Sequence, residues 1–499
     1  MNLVQNFPFF CIMLYLAGGV TCCVLTPKAS RAVCIGLNLL VTALMAAALA
    51  FTVRSGESYV YLMGHFPAPW GNEIRIGPLE TLMGTAFPLV MTLTLLGGMD
   101  HIFEDVEEDK INLYFTVVNL LMVSMLALVL TNDIFTGYVF VEINTIASCA
   151  LVMLKYKSGK ALVATTRYLI MSLLGSGLFL IGIIILYNIT GHLLMEPMRE
   201  KIHELYLSGN YAFPLTVTVG LFAVGLSLKS ALWPFSAWLP DAHASATAAS
   251  SGILSGLVIK SYMILLLKIF YRVLGMEVVL STGVLNVLFV FGIGAMLFGS
   301  LHALQERDIK RMLAYSSVAQ AGYIFAGFGL GTAEGVLAGC IQILVHAVTK
   351  PMLFSAAGGF MTVSGGSRQF SDLHGAGRRD ILSGIAFTVG ALSMIGIPLF
   401  AGFATKLVLT RASLATAGWK CVAALSAIVL STVLNALYYI PAVALLFDKR
   451  EAVHISGVKA QPSAVYVLSL TVFMALNFFV GLRSSLLTCI LEAGLNVFS

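Results

Sequence analysis

Six ionisable side chains lie in stretches of the chain that are otherwise apolar: Glu142, Lys229, Lys260, His346, Lys350 and Lys406. On insertion scales a charge at the bilayer centre costs about 2.5–3.5 kcal/mol. Such groups are kept where they face one another or water, and a row of them can hold protons and pass them on. Glu142 and Lys229 have the types needed for a bistable pair: the lysine keeps its proton beside the carboxylate and releases it when the carboxylate moves away. The expected path runs from Lys229 to Lys260, then through His346 and Lys350 to Lys406. His302, near a span end, is a secondary relay candidate. His243 and Asp241 are expected at the interface, lining an entry. Plainer readings stand beside these. The Lys260 stem can reach a span end, His346 can pack against a carbonyl, and Lys350 can satisfy carbonyls freed by Pro351. Glu142 can serve as a structural ion pair.

The elements that must position these groups are membrane helices. The chain has 499 residues, 59% hydrophobic and 11% charged, against about 25% charged in a soluble domain. No water-soluble fold of this length hides so much apolar surface, so the fold class is all-α and polytopic. At about 20 apolar residues per span, the sequence gives about 14 spans. The first, Met1 to Leu25, has no positive lead or cleavage site and is expected to be retained. The segment 188–213 is the longest connection and has room for a short surface helix. Asp100 to Lys110 is acidic and is expected as a solvated loop.

Two spans carry breaks. The seventh ends at Lys229 and meets Ser-Ala-Leu-Trp-Pro-Phe, then Pro240-Asp241. The twelfth is interrupted by Gly396-Ile397-Pro398 and Gly402, with Lys406 following. Proline removes a backbone donor and clashes with the preceding turn. Interrupted spans in matching positions of two halves point to an inverted-repeat transporter with its ion path at the breaks.

Lysine and arginine are unequally shared between the two sides. Loops after odd-numbered spans hold the larger share, including Lys155, Lys157, Lys160, Arg167, Lys310, Arg311, Arg368, Arg450 and Lys459. The other side holds fewer, including Arg54, Arg75, Lys268 and Arg272. The positive-inside rule then places the first group in the cytoplasm of a prokaryotic cell and both termini outside. The eight cysteines form no C-x-x-C pair, and most lie in apolar runs. No iron–sulfur or zinc signature, nucleotide loop or nucleophile motif is present, so no cofactor and no active site are expected on this chain. No basic stripe with interleaved aromatics suggests nucleic acid.

The stretch Lys229-Ser-Ala-Leu-Trp-Pro-Phe-Ser-Ala-Trp-Leu-Pro-Asp-Ala-His243 resembles the signature of the antiporter-like subunits. These are shared by Mrp-type Na+/H+ antiporters, membrane-bound hydrogenases and the membrane arm of respiratory complex I. Asp308 to Gln320, His346 to Gly358 and Gly396 to Lys406 resemble three further motifs. Gly64, Pro67, Ala68, Pro69 and Gly71 resemble a D-type Mrp lead-in, whereas Asn72-Glu73 and Gly77-Pro78 diverge. The prolines that the family often carries after Asp-Ala-His are missing from Ala244 to Ser255. The resemblance implies 14 helices with two inverted five-helix repeats, each with a discontinuous helix. It divides the chain into 1–109 (three helices), 110–275 (first repeat), 276–448 (second repeat) and 449–499 (last helix). It assigns Glu142 to the glutamate of the fifth helix, Lys229 to the lysine of the seventh and Lys260 to the basic residue of the eighth. His346 and Lys350 take the place of the basic residue of the eleventh, and Lys406 that of the twelfth. It implies proton translocation, with sodium as a candidate counter-ion, inside a complex with other membrane subunits. Iron–sulfur or hydrogenase subunits would join them if redox chemistry drives the complex. The alternative is a stand-alone cation/proton transporter.

Overall fold

The computed structural model describes residues 3–68, 70–155, 159–449 and 461–498. Pro69, Lys157, Arg450 and Lys459 lie outside the described residues. The N-terminal segment holds α1 (Phe7–Val24), α2 (Pro27–Ser55) and α3 (Pro78–Gly97), each with proline in its first turn. At that position the missing N–H has no helical partner to lose. Between α2 and α3 lies an element absent from the all-α expectation, an antiparallel hairpin of β1 (Tyr59–Leu62) and β2 (Glu73–Ile76). Tyr, Val and Ile in these short runs favour strand. The supposed loop after α3 is also structured. Met99–Asp105 is helical and buries Met99, His101 and Ile102.

Next come α4 (Ile111–Leu130), α5 (Ile134–Met153) and α6 (Gly159–Thr190). A surface helix, Met195–Ser208, occupies the long connection as expected. The seventh span divides into α7 (Ala212–Lys229) and α8 (Leu239–Ser245). The chain continues through α9 (Ala248–Leu274), α10 (Val284–Gln305), α11 (Ile309–Leu330) and α12 (Ala333–Thr362). The twelfth span divides into α13 (Ile381–Ile395) and α14 (Ala401–Ala415), followed by α15 (Trp419–Leu446). The C-terminal segment holds two helices, α16 (Ala464–Leu482) and α17 (Ser484–Phe498), where the sequence reading has one. Many starts are capped by side chains. Asp133, Thr247, Asp308, Thr332, Asp380 and Ser463 each accept a backbone N–H of the first turn, satisfying donors that a helix start leaves open.

Twelve helices among the described residues are long and apolar enough to cross a membrane, fewer than the about 14 expected. Of the expected spans, the tenth is α11. It has 22 residues but is not apolar enough to count, and buries Ser316, Ser317 and Gln320 along its length. The twelfth is split into two halves of 15 residues each. The centre of the bundle is α9, buried along its whole length, and α12, buried almost throughout. Around them α2, α6, α15 and α16 expose Leu40, Ile184, Val429 and Leu468, apolar side chains that belong against lipid.

Candidate functional site

Lys229 is the last residue of α7. The chain then leaves the helix, with Ala231 at φ +53°, and resumes through a tight turn at Phe235–Trp238 into α8. Gly175 of α6 and Gly225 of α7 let the two backbones meet. A Cβ on Gly175 would come within 2.7 Å of the Gly225 carbonyl and 3.2 Å of Lys229 Cγ. The Lys229 stem is held in that seam, 1% exposed. Its Nζ donates to Thr145 Oγ1 at 2.6 Å and lies 5.4 Å from the centre of the Tyr262 ring. Glu142, one turn before Thr145 on α5, is half-buried and lies against Tyr138. It makes no ion pair with Lys229 among the described residues. The expected Glu142–Lys229 pair is therefore not formed here; the ammonium bonds the Thr145 hydroxyl instead.

Lys260 is fully buried, which removes the reading of a stem reaching the interface. A π-helical turn at Leu254–Val258 widens α9 just before it. Such a turn shifts the backbone ladder by one residue and is common at functional positions. Lys260 Nζ reaches back to the Ser255 carbonyl and also bonds His346 Nδ1 of α12. The two helices are brought together by a notch. A Cβ on Gly256 would stand 2.5 Å from Pro351 Cγ. His346 Nε2 is buried without a partner.

Lys350 does not serve the carbonyls freed on its own helix. It donates across to α11, to the Leu313 carbonyl at 2.8 Å and to Ser316 Oγ, and reaches Tyr439 Oη of α15 at 3.5 Å. Lys406 sits on α14, beyond the second break. Its half-buried ammonium donates to the Ile395 carbonyl at the end of α13 and to Thr432 Oγ1 at 2.7 Å. Gly396, at φ +90°, ends α13, and a Cβ there would lie 2.6 Å from Lys406 Cδ. The left-handed backbone and the close lysine stem each call for glycine.

The secondary candidates divide. Asp241, expected to line an entry, is half-buried. It bonds Arg167 of α6 and Arg311 of α11, both at 2.7 Å, and lines a charged cavity of about 710 Å³. His243, expected at the interface, is instead fully buried, stacked on Phe354, with neither ring nitrogen bonded. Its position two residues after Asp241 on a short helix turns it inward. His302 is exposed, bonds the Phe298 carbonyl of its own helix and stacks on Tyr315 of α11, with ring centres 5.2 Å apart.

Sequence reading missed several buried cations by assigning them to loops. Lys268, fully buried, donates to the Val129 and Thr131 carbonyls at 2.7 and 2.6 Å. There it meets the negative end of α4. Lys310, 1% exposed, donates to the Ala246 carbonyl at 2.5 Å, just ahead of α9. Arg272 is buried at the far end of α9. Loop assignment from hydropathy places charges at helix ends outside; here other helices cover those ends. The spacing of Lys260 and Lys268 along one helix was the available signal.

Residues 131–433 match the family described as "NADH:quinone oxidoreductase/Mrp antiporter, TM". The chain belongs to this family. It is 33% identical, over 82% of its length and 79% of the relative's, to NADH-quinone oxidoreductase subunit N of Desulforudis audaxviator. Two solved structures share its fold. One chain belongs to the membrane-bound sulfane sulfur reductase, an archaeal respiratory membrane complex, with TM-score 0.85, 25% identity, and coverage of 100% of this chain and 98% of that one. The other belongs to the Mrp complex of Dietzia sp., with TM-score 0.87, 23% identity and the same coverage. The antiporter-like family thus takes in this chain as a multi-pass membrane protein with buried charges.

Proposed function

We propose that this chain is the proton-translocating subunit of a multi-subunit membrane complex. The carrying observation is the set of four lysines at or between the two broken helices. None of them is ion-paired to a carboxylate among the described residues. Lys260 meets His346, and Lys350 meets Ser316 and Tyr439, so each ammonium faces groups that exchange protons. A buried charge kept without a counter-charge is costly and serves poorly as a structural ion pair. Protons enter at the charged mouth around Asp241, reach the buried row by way of His243, and leave from Lys406 at the second break. Glu142, half-buried on α5, acts on the row by pairing with Lys229 and letting it go.

Relatives occur in Mrp and respiratory assemblies, which supports other membrane subunits as partners. On this reading the chain crosses the cytoplasmic membrane about 14 times, with repeats at 110–275 and 276–448, both termini outside, and no cofactor of its own. The test is Lys229→Ala in the intact complex, reconstituted into liposomes with a proton-sensitive dye. Proton movement falls at least about tenfold, the size of a lost proton-transfer group. Undiminished movement overturns the proposal. Co-purifying chains identify the driving force: small membrane subunits alone mean ion gradients, cysteine-rich partners mean redox chemistry.

A further inference from the structure

Two cavities open on either side of the last turn of α12, and they differ in charge. Met361 and Gly366 line the mouth at Asp241; Gly359 and Thr362 line a second cavity of about 340 Å³. In the first, Asp241, Glu306 and Asp308 are each ion-paired to arginine. In the second, Asp100, Glu104 and Asp380 contribute carboxylates, and among the described residues no lysine or arginine lines the wall. None of the three pairs with lysine or arginine among the described residues. Glu104 meets only His101, at 3.6 Å, and burial pushes that imidazole below its ordinary range, towards the neutral form. A cleft lined by one sign of charge concentrates counter-ions.

The deep end of this cavity is built from oxygens. Asp380, 4% exposed, accepts the Ser383 N–H at 3.1 Å and the Ser383 hydroxyl. Ser383 Oγ lies 2.6 Å from Tyr466 Oη, which donates to the Ser355 carbonyl at 3.2 Å. A Cβ on Gly359 would collide with Asp380, Ser383 and Tyr466 together, so glycine keeps this corner open. The Ser355 hydroxyl is fully buried, has no hydrogen-bond partner among the described residues, and stands 2.8 Å from where a Cβ of Gly97 would be, at the cavity wall. A buried hydroxyl left unbonded costs about 1–3 kcal/mol, and a buried carboxylate without a cation costs more. Hard cations take oxygen donors, and one buried carboxylate balances one positive charge.

We propose that this acidic cavity is a binding site and inlet for a monovalent alkali cation of sodium size, held by Asp380, Ser383, Tyr466 and Ser355, apart from the proton mouth at Asp241. The proposal rests on the ion-translocating reading above and adds a second ion with its own entrance. Helix capping by Asp380 is the competing explanation, and asparagine retains it. The purified complex is heated in sodium chloride or choline chloride at constant ionic strength. In the wild type, sodium raises the unfolding midpoint of this chain saturably and choline does not. Asp380→Asn needs about tenfold more sodium for half of the effect, the equivalent of one charge-assisted contact. Ser355→Ala shifts the response in the same direction and carries the test if the first variant fails to assemble. An equal sodium response in wild type and variants, or the same effect from choline, overturns the proposal. Lys229→Ala separates the two readings. If it still moves protons, the proton reading falls whatever sodium does; if only the sodium shift is missing, this site alone falls.

Discussion

At the residue scale, what distinguishes the buried row is the partner each base has. Lys229 has a threonine hydroxyl, Lys260 a histidine and a carbonyl, Lys350 a serine, a tyrosine and a carbonyl, and Lys406 a threonine and a carbonyl. None of these neutral partners fixes an ammonium as a carboxylate would, which suits groups that load and unload. The two histidines make a direct comparison. His346→Ala removes the Lys260 partner, and proton movement by the reconstituted complex drops at least about tenfold. His302→Ala, on an exposed ring bonded to its own helix, leaves the rate unchanged. Equal losses from both, or no loss from His346→Ala, would contradict the assignment.

The helices supply the geometry through defects placed beside the bases. The π-helical turn lies between Lys260 and the Ser255 carbonyl that its ammonium bonds, and the break at Gly396 leaves the Ile395 carbonyl to the ammonium of Lys406. Irregular backbone is tolerated at membrane depth only where protein buries it. Gly396→Ala forces a side chain into the left-handed region, which costs about 1–2 kcal/mol, and drives its Cβ into the Lys406 stem. The unfolding midpoint of the chain therefore falls. In the double variant Gly396→Ala/Lys406→Ala the loss is smaller than the sum of the single losses, because the collision is gone. Additive losses would mean that the stem and the glycine do not touch in solution.

Across the whole molecule, the sum of loop charges is what the proposed orientation rests on. Ser208, at the end of the surface helix Met195–Ser208, and Ser371, in the connection before α13, are both exposed and lie on opposite sides in that reading. With the exposed Cys23 and Cys489 replaced by serine, Ser208→Cys is modified by a membrane-impermeant maleimide in intact cells. Ser371→Cys is modified only after the membrane is opened. The reverse pattern would invert the chain and turn both cavities outward. Correct orientation matters for the two entrances, since the paired mouth at Asp241 and the acidic cavity at Asp380 flank the same end of α12.

Composition alone fixed the membrane as solvent, and prolines and glycines beside lysines marked both breaks, because breakers act locally. The motif around Lys229 to His243 was enough to place the chain among its relatives. Burial was less legible. Lys268 and Lys310 read as loop charges, yet neighbouring helices cover them, and His302 reads as a secondary relay candidate near a span end, yet is exposed. Which partner an ammonium takes was decided only in three dimensions. Glu142 and Lys229 are of suitable types for a pair, but the Lys229 ammonium bonds Thr145 in the packed bundle. The acidic corner at Asp380 likewise depends on helices distant in the chain meeting at one place. Local sequence dictates where a helix starts, stops or breaks; which faces meet is set by close packing of the whole bundle, at glycine seams such as Gly175 with Gly225 and Gly256 with Pro351.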